Sequence, residues 1–348
     1  MNKKVQKRKG LIDEFAERYG ETVIWKVGAS LYREKVDTLP TDSVAINWAI
    51  GGTGLPRGRM TELYGPEHSG KTTICYHAIA CCQRSGKQAA LIDLENSMDP
   101  VYAKRCGIDM PKLFIAQPDW GEQALSILED LITDKRTDLI VLDSVAQLSP
   151  KAEIEGDIGD SHMGLQARMI TQAMRRITGL LKVSDTAVVF TNQLRDKIGG
   201  YGYESTPGGH GLKHAFSVRA RISRGEPIKI KGEPIGYMAK IDVKKNKIVS
   251  PFRKVEFPVL YGIGIETRLE LITLAVKAGT MSKKGAYYYL GNRKRSVGSG
   301  WKTAYDFLVS SKLKGRVEER VYNYLNSLVV DFEESDEDKK AKANSKKA

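Results

Sequence analysis

A chain of 348 residues with 41% hydrophobic residues, a formal net charge of +13 and four cysteines is long enough for one large α/β core with small terminal additions. It holds no apolar stretch of membrane-spanning length, and its N-terminus carries charge without the apolar core of a signal peptide, so membrane insertion and export are not expected and a cytoplasmic location is. The basic excess favours a polyanionic partner, and Cys75, Cys81, Cys82 and Cys106 lack metal-ligand spacing and read as small buried hydrophobes kept reduced.

In chain order, Lys3, Lys4, Lys7, Arg8 and Lys9 form a basic arm. Leu11, Ile12, Phe15 and Tyr19 then share one stripe of a short predicted helix with too few neighbours to bury it, so the stripe needs another surface, on its own core or on another chain. Residues 59–64 are predicted as a strand and residues 73–83 as a helix free of Gly and Pro. Between them Gly65-Pro66-Glu67-His68-Ser69-Gly70-Lys71-Thr72 satisfies the pattern G-x-x-x-x-G-K-[ST] of a P-loop. Its glycines let consecutive backbone N–H groups turn inward, and the following helix N-terminus adds partial positive charge, which makes a cradle for phosphate oxygens. In such a loop Lys71 reaches the β and γ phosphates and the Thr72 hydroxyl faces Mg²⁺.

A second strand over residues 88–93 leads to Glu95, a carboxylate able to orient or deprotonate an attacking water. Four consecutive apolar residues after Asp138 read as a strand buried on both faces of a parallel sheet; it ends at Asp143, the Walker B candidate for a second metal contact, on the edge where α/β sheets bind ligands. Two glycine-rich, charged segments follow core strands, residues 155–164 and 195–211, and neither is predicted to form a regular element by itself. Loops of that length in a compact domain are functional or disordered. At the end of the chain an acidic run over residues 331–338 precedes Lys339, Lys340, Lys342, Lys346 and Lys347, and both termini read as solvated ends.

Several long segments together resemble the bacterial RecA recombinase family: the P-loop with Thr73; Asp99-Pro100-Val101-Tyr102-Ala103; Asp143-Ser144-Val145-Ala146; residues 150–165, with residues 153–168 close to diagnostic; Thr191-Asn192-Gln193-Leu194-Arg195; and Lys245-Asn246-Lys247-Ile248 with Pro251-Phe252. The similarity spans residues 11–330, and a phage-encoded or bacterial member fits it. It implies an α/β fold: a RecA-like P-loop ATPase core with a central, mostly parallel sheet, a small N-terminal polymerisation helix and a small C-terminal α/β domain. The corresponding boundaries are 1–33 for the basic arm and oligomerisation helix, 34–265 for the core, 266–330 for a C-terminal domain of helices with the Tyr287-Tyr288-Tyr289 run, and 331–348 for a charged tail.

The resemblance further implies an ATP- and Mg²⁺-dependent DNA recombinase that forms helical filaments on ssDNA, also engages dsDNA, and works in recombination, repair and the DNA-damage response alongside mediator or single-strand-binding proteins. ATP is expected on the P-loop, Thr73, Asp143 and Tyr261, with adenine packed by Tyr102 and hydrogen-bonded near Asp99. Glu95 and Lys71 are expected to act in hydrolysis, Gln193 to report the γ-phosphate to the DNA loops, and Lys245 and Lys247 to neutralise it from the neighbouring subunit. The two loops become DNA-binding loops, with Met163, Gly164, Arg168, Thr171, Arg175, Arg195, Lys197, Ile198, Gly208 and Gly209 as contacts; Met163 and Ile198 would wedge between bases. Arg221, Arg224, Lys240 and Lys244 are candidates for a secondary DNA site. Tyr201, Tyr203, His210 and His214, together with Asp196 and Asp242, depart from the family pattern. A hexameric helicase, a ring ATPase or a non-catalytic ssDNA-coating protein would share parts of this pattern; the polymerisation helix and residues 154–164 favour the recombinase, and ATP turnover with and without ssDNA separates the coating protein.

Overall fold

The computed structural model describes residues 11–20, 36–157, 164–196, 204–291 and 296–328, with Arg195, Asp196, Glu204, Ser205 and His210 described by backbone alone. The chain divides into two units, residues 1–37 and 38–348. In the first, helix α1 (Leu11–Tyr19) forms as its apolar spacing predicts, and none of its residues is buried. Phe15 is stacked on Tyr19 at 5.9 Å between ring centroids.

The second unit runs α2 (Val44–Gly51), β1 (Met60–Gly65), α3 (Lys71–Arg84), β2 (Ala89–Asp93), α4 (Pro100–Arg105), β3 (Phe114–Ala116), α5 (Gly121–Asp134) and β4 (Leu139–Asp143). It continues with α6 (Lys151–Glu155), α7 (Leu165–Leu180), β5 (Ala187–Gln193), α8 (Gly209–Ala215), β6 (Val218–Ile230), β7 (Glu233–Asn246), β8 (Lys254–Leu260) and β9 (Gly264–Ile265). A nine-stranded sheet has the order β9-β8-β7-β6-β1-β5-β4-β2-β3. From β6 to β3 every pairing is parallel, and from β6 to β9 every pairing is antiparallel. The chain thus ends β1, β2, β4 and β5 on one edge, where ligands bind in open α/β sheets.

The apolar run of β4 shows how the sheet is covered. Alternate residues point to opposite faces, so Leu139 and Val141 join the core formed with Ile74, Ile79 and Trp48, while Ile140 and Leu142 join the one formed with Leu128, Ile170 and Ile177. Helices α2, α3 and α9 (Thr267–Lys277) supply the first layer, α5 and α7 the second. Each fully buried Leu, Ile or Phe contributes about 1.5–3 kcal/mol of transfer free energy. On the second face Phe190 meets Phe216 edge-on at 5.3 Å. The helix layers cover both faces of the inner strands β2 and β4, which is why those strands read as apolar runs, while on the edge strand β3 Phe114 and Ile115 stay exposed.

After α9, β10 (Met281–Lys284), β11 (Tyr287–Leu290) and β12 (Gly298–Ser299) form a three-stranded antiparallel sheet, followed by α10 (Trp301–Ser310) and α11 (Lys314–Ser327). The Tyr287-Tyr288-Tyr289 run is therefore a strand rather than part of a helical domain. Aromatic residues fit a pleated, half-buried surface, and Tyr288 packs inward at 6% exposure while Tyr287 faces out. The segment 195–211 is also more regular than its glycines suggest: Arg195–Asp196 pairs with Glu204–Ser205, and α8 begins at Gly209.

Candidate functional site

The phosphate end of the site grows from the strand–loop–helix unit. β1 delivers Gly65 at the sheet edge, where β6 runs so close that a Cβ on Gly65 would lie 2.0 Å from the Ile222 carbonyl oxygen. Gly70 caps α3 with a left-handed φ of +100°, a conformation that glycine adopts at little cost. Lys71 Nζ donates to the carbonyls of Gly65 and Pro66 at 3.1 and 2.7 Å. Burial pushes its pKa down, against the opposing charges of Asp143, Glu95 and Glu67. Ser69 Oγ is buried in the loop with no hydrogen-bond partner among the described residues, an orphaned polar atom of the kind a bound oxyanion would satisfy.

The Thr72 hydroxyl donates to Asp143 Oδ2 at 2.8 Å, and the Thr191 hydroxyl donates to the other carboxylate oxygen. Burial pushes the Asp143 pKa up, and the hydrogen bonds from Thr191 and Thr72 oppose that rise. Asp143 and Thr72 thus present two oxygen ligands side by side, a donor set suited to a hard divalent cation. Glu95 is held at the same edge: Leu94 N–H donates to the Asp143 carbonyl at 2.8 Å, Ser144 Oγ donates to Glu95 Oε1 at 2.6 Å, and Gln193 Nε2 donates to the same oxygen at 3.2 Å. A carboxylate fixed in this way can accept a proton from a water brought to the sheet edge.

A cavity of about 720 Å³ joins these groups to an aromatic end lined by Tyr76, Asp99, Tyr102, Arg224, Tyr237 and Tyr261. Asp99 caps α4 through Oδ1, which accepts from the N–H groups of Val101 and Tyr102 at 2.8 and 3.2 Å. The Tyr102 hydroxyl is bonded to Thr73 Oγ1 at 2.9 Å. P-loop residues 67–73 all line the cavity, as do Glu95, Asp99, Tyr102, Asp143, Gln193 and Tyr261. Thr191, Ser144, Tyr237 and Arg224 were not singled out from sequence for this site. Thr191 and Ser144 sit in segments with a recognisable signature, whereas Tyr237 and Arg224 carry no local signal at all.

Beyond Gln193, a buried polar network continues along β5. Asn192 Nδ2 donates to Glu62 Oε1 at 2.9 Å and to the Pro207 carbonyl at 3.2 Å, and Gln193 N–H donates to Asn192 Oδ1 at 2.9 Å. Glu62, fully buried on β1, pairs with Arg219 of β6. Arg219 also reaches Thr206 Oγ1 at 3.5 Å and covers the Tyr64 ring at 4.8 Å. Lys245 Nζ donates to the carbonyls of Lys213 and His214 at 2.8 and 3.0 Å, which ties it to the C-terminus of α8. Burial pushes its pKa down, with Lys247 and Arg219 adding to the effect. Lys247 is exposed, and among the described residues neither lysine lines the cavity around Lys71.

On α7, Arg168 and Arg175 are exposed on the face of Thr171, spaced three and four residues apart as neighbours on a helix surface are. The Thr171 hydroxyl is turned back to the Ala167 carbonyl at 2.7 Å, and α8 crosses it where a Cβ on Gly211 would meet Thr171 Oγ1 at 2.8 Å. Gly164 and Gly208 cap α7 and α8, and Gly209 opens α8 with φ +75°. For Arg195 only the backbone is described, and Met163, Lys197, Ile198, Tyr201 and Tyr203 lie outside the described residues, as do the basic arm and the charged tail.

Of the secondary-site candidates, Arg221 is half-buried on β6. Lys240 pairs with Glu256 at 3.2 Å, Lys244 pairs with Asp242 at 2.7 Å, and Arg224 faces the nucleotide-sized cavity. The cysteines behave as small hydrophobes: Cys75, Cys82 and Cys106 are buried, and burial pushes the Cys106 thiol up to about 11. Among the described residues no helix is long and apolar enough to cross a membrane.

Residues 7–266 match the family model of the RecA N-terminal domain. The chain is 46% identical over 314 residues to Protein RecA of Tropheryma whipplei (strain Twist), covering 90% of this chain and 70% of that protein. It is 44% identical over 318 residues to Protein RecA of Acidothermus cellulolyticus, covering 89% and 91% of the two chains. With Protein RecA of Campylobacter lari the identity is 42% over 340 residues, covering 95% and 98%.

Proposed function

The chain belongs to the RecA family, with a recombinase's role in DNA recombination and repair, and we propose that it fills this role as an ATP-driven helical filament on single-stranded DNA. The observation that carries the reading is the single cavity in which Lys71, Thr72, Asp143, Glu95 and Gln193 converge. Only interactions that differ between ATP and ADP states can switch DNA affinity, and Gln193 stands where such a difference can be sensed: its amide touches Glu95 on one side, and its backbone continues toward residues 195–208 on the other.

In this reading the N–H groups of residues 66–72 hold the triphosphate, Lys71 exchanges its two carbonyl contacts for phosphate oxygens, and Ser69 gains a partner. Thr72 and Asp143 would hold Mg²⁺, which would supply charge neutralisation to the triphosphate. A divalent cation also reverses the cost of ionising the buried Asp143. Glu95 takes the proton of the attacking water. Asp99, Tyr102 and Tyr261 receive the nucleoside. Lys247, with Lys245, serves the neighbouring subunit's γ-phosphate, and the apolar stripe of α1 docks on a neighbour to build the filament. Arg168, Thr171 and Arg175 of α7, with Met163, Gly164, Arg195, Lys197, Ile198, Gly208 and Gly209 of the two glycine-rich segments, face DNA through phosphate contacts and base wedging. Such contacts carry no sequence information, which suits a protein that must accept any strand.

Electron microscopy of the protein with ssDNA and a non-hydrolysable ATP analogue tests the reading. Extended right-handed filaments are expected, and closed hexamers would overturn it. The shared site has its own test: co-assembled Lys247→Ala and Lys71→Ala subunits should regain turnover that neither has alone, because some junctions still pair an intact Lys71 with an intact Lys247. Activity no greater than the sum of the two would overturn the shared site and leave Lys247 to act within its own subunit or not at all.

A further inference from the structure

Three antiparallel strands converge on the aromatic end of the cavity and bring together residues that the P-loop motif does not include. Arg224 lies on β6, Tyr237 on β7, and Tyr261 directly follows β8. The Arg224 guanidinium carbon stands 4.4 Å from the centroid of the Tyr237 ring and 5.5 Å from that of Tyr261, and its Nη2 donates to the Tyr261 hydroxyl. The two tyrosine rings lie 6.1 Å apart and are tilted by 45°. Tyr237 is 6% exposed, and its hydroxyl points at the P-loop, 3.4 Å from the His68 carbonyl and 3.1 Å from the position of a Cβ on Gly70. Tyr261 is 48% exposed, with its ring at the cavity wall.

We infer that Arg224 and Tyr237 are positioning residues that hold Tyr261 as the shelf for the nucleoside, so that this wall makes the cavity select a nucleotide over a bare phosphate chain. The inference rests on the reading of this cavity as the nucleotide site. A half-exposed tyrosine at a strand end loses side-chain freedom when a ligand packs on it, and that ordering subtracts from affinity. Arg224 removes the freedom in advance: one planar group stacks on the buried Tyr237 ring and at the same time donates to the Tyr261 hydroxyl. Only arginine can do both, because a lysine ammonium is a point charge without a flat face or a fork of donors. The buried Tyr237 in turn is fixed under the P-loop, which places the shelf at a set distance from the phosphate cradle.

The experiment is calorimetric titration of the full-length protein, with Mg²⁺, by ATP and by inorganic tripolyphosphate. Arg224→Ala and Arg224→Lys should each weaken ATP binding by about tenfold, the size of one stacking or hydrogen-bond contribution, and change tripolyphosphate binding by less than about twofold. Arg224→Ala added to Tyr261→Ala should cost nothing further, since the two act through one contact. Equal losses for both ligands would make Arg224 a phosphate contact and overturn the inference, as would full rescue by Arg224→Lys or simple additivity with Tyr261→Ala. Arg224→Lys keeps charge and length, so it serves as the readout if the alanine variant misfolds. The underlying reading is separated by Lys71→Ala: retention of ATP binding there would remove the nucleotide site itself. Loss of binding in Lys71→Ala together with wild-type behaviour of Arg224→Ala would sink the positioning role alone.

Discussion

The two ends of the cavity are built in different ways. At the phosphate end, most groups come from one continuous segment, residues 65–73, and the rest sit on the adjoining parallel strand ends, as Asp143, Glu95, Thr191 and Gln193 do. At the nucleoside end, Tyr102, Arg224, Tyr237 and Tyr261 come from four separated places in the chain. The first end is chemistry fixed by local backbone geometry, since a triphosphate is recognised by N–H groups that a glycine loop aims in one direction. The second is recognition by side-chain planes, and any elements that converge can supply those. The buried Glu62–Arg219 pair ties the two together, because it joins β1, which ends in the P-loop, to β6, which carries Arg224.

The comparison breaks most sharply through catalysis. Glu95→Gln should lower ssDNA-stimulated ATP turnover by about 10²–10⁴-fold, the usual contribution of general base catalysis, while nucleotide and ssDNA binding persist and filaments are trapped. Steady-state turnover beside direct binding checks this, and a wild-type rate would remove Glu95 from the reaction.

The link between the two ends comes next. Glu62→Ala removes the carboxylate that pairs with the Arg219 guanidinium and the Asn192 amide, leaving them Thr206 Oγ1 and the Pro207 carbonyl, and losing one partner of a buried pair costs about 3–5 kcal/mol. Urea unfolding should register it. A loss below about 1 kcal/mol would mean that the pair is solvated and does not bind β1 to β6.

A buried carboxylate away from both ends provides a contrast. Glu270 accepts from Ser43 Oγ at 2.9 Å and from Ala45 N–H at 2.6 Å, and its second oxygen has no hydrogen-bond partner among the described residues. Burial pushes its pKa up from 4.5 to about 7, with those two hydrogen bonds opposing. The folded protein therefore keeps a proton that the unfolded chain releases above pH 4.5. Its stabilising contribution is complete below pH 4.5 and is lost as the pH rises through about 7, by roughly 3 kcal/mol at about 1.4 kcal/mol per pH unit. Glu270→Gln is neutral throughout, so between pH 4.5 and 8 the stability difference should move toward the variant by roughly that amount. Parallel denaturation curves at every pH would contradict this.

The smallest expected effect lies on the face of α7 proposed to meet DNA. Arg168→Ala should weaken ssDNA binding evenly across sequences and reduce the log–log salt slope by about 0.7, one phosphate contact on a single strand. ATP binding without DNA should stay as it was. An unchanged slope would turn Arg168 toward solvent or a neighbouring subunit.

Sequence alone determined the phosphate end and the parallel half of the sheet. The P-loop is a contiguous pattern, and a strand buried on both faces cannot avoid an apolar run such as residues 139–142, so these were legible without any long-range contact. The predicted strand and helix around the loop shifted by only one or two residues, to Met60–Gly65 and Lys71–Arg84. The tertiary structure decided what depends on which strands become neighbours. It put Arg224 at the cavity wall, set Lys240 and Lys244 against Glu256 and Asp242, paired Glu62 with Arg219 157 positions away, and made strand of the tyrosine run that had read as part of a helical domain. A charge in sequence has no partner until the sheet order supplies one. In this chain the antiparallel half, with its long β6–β7 hairpin, supplies partners from residues that no local motif connects.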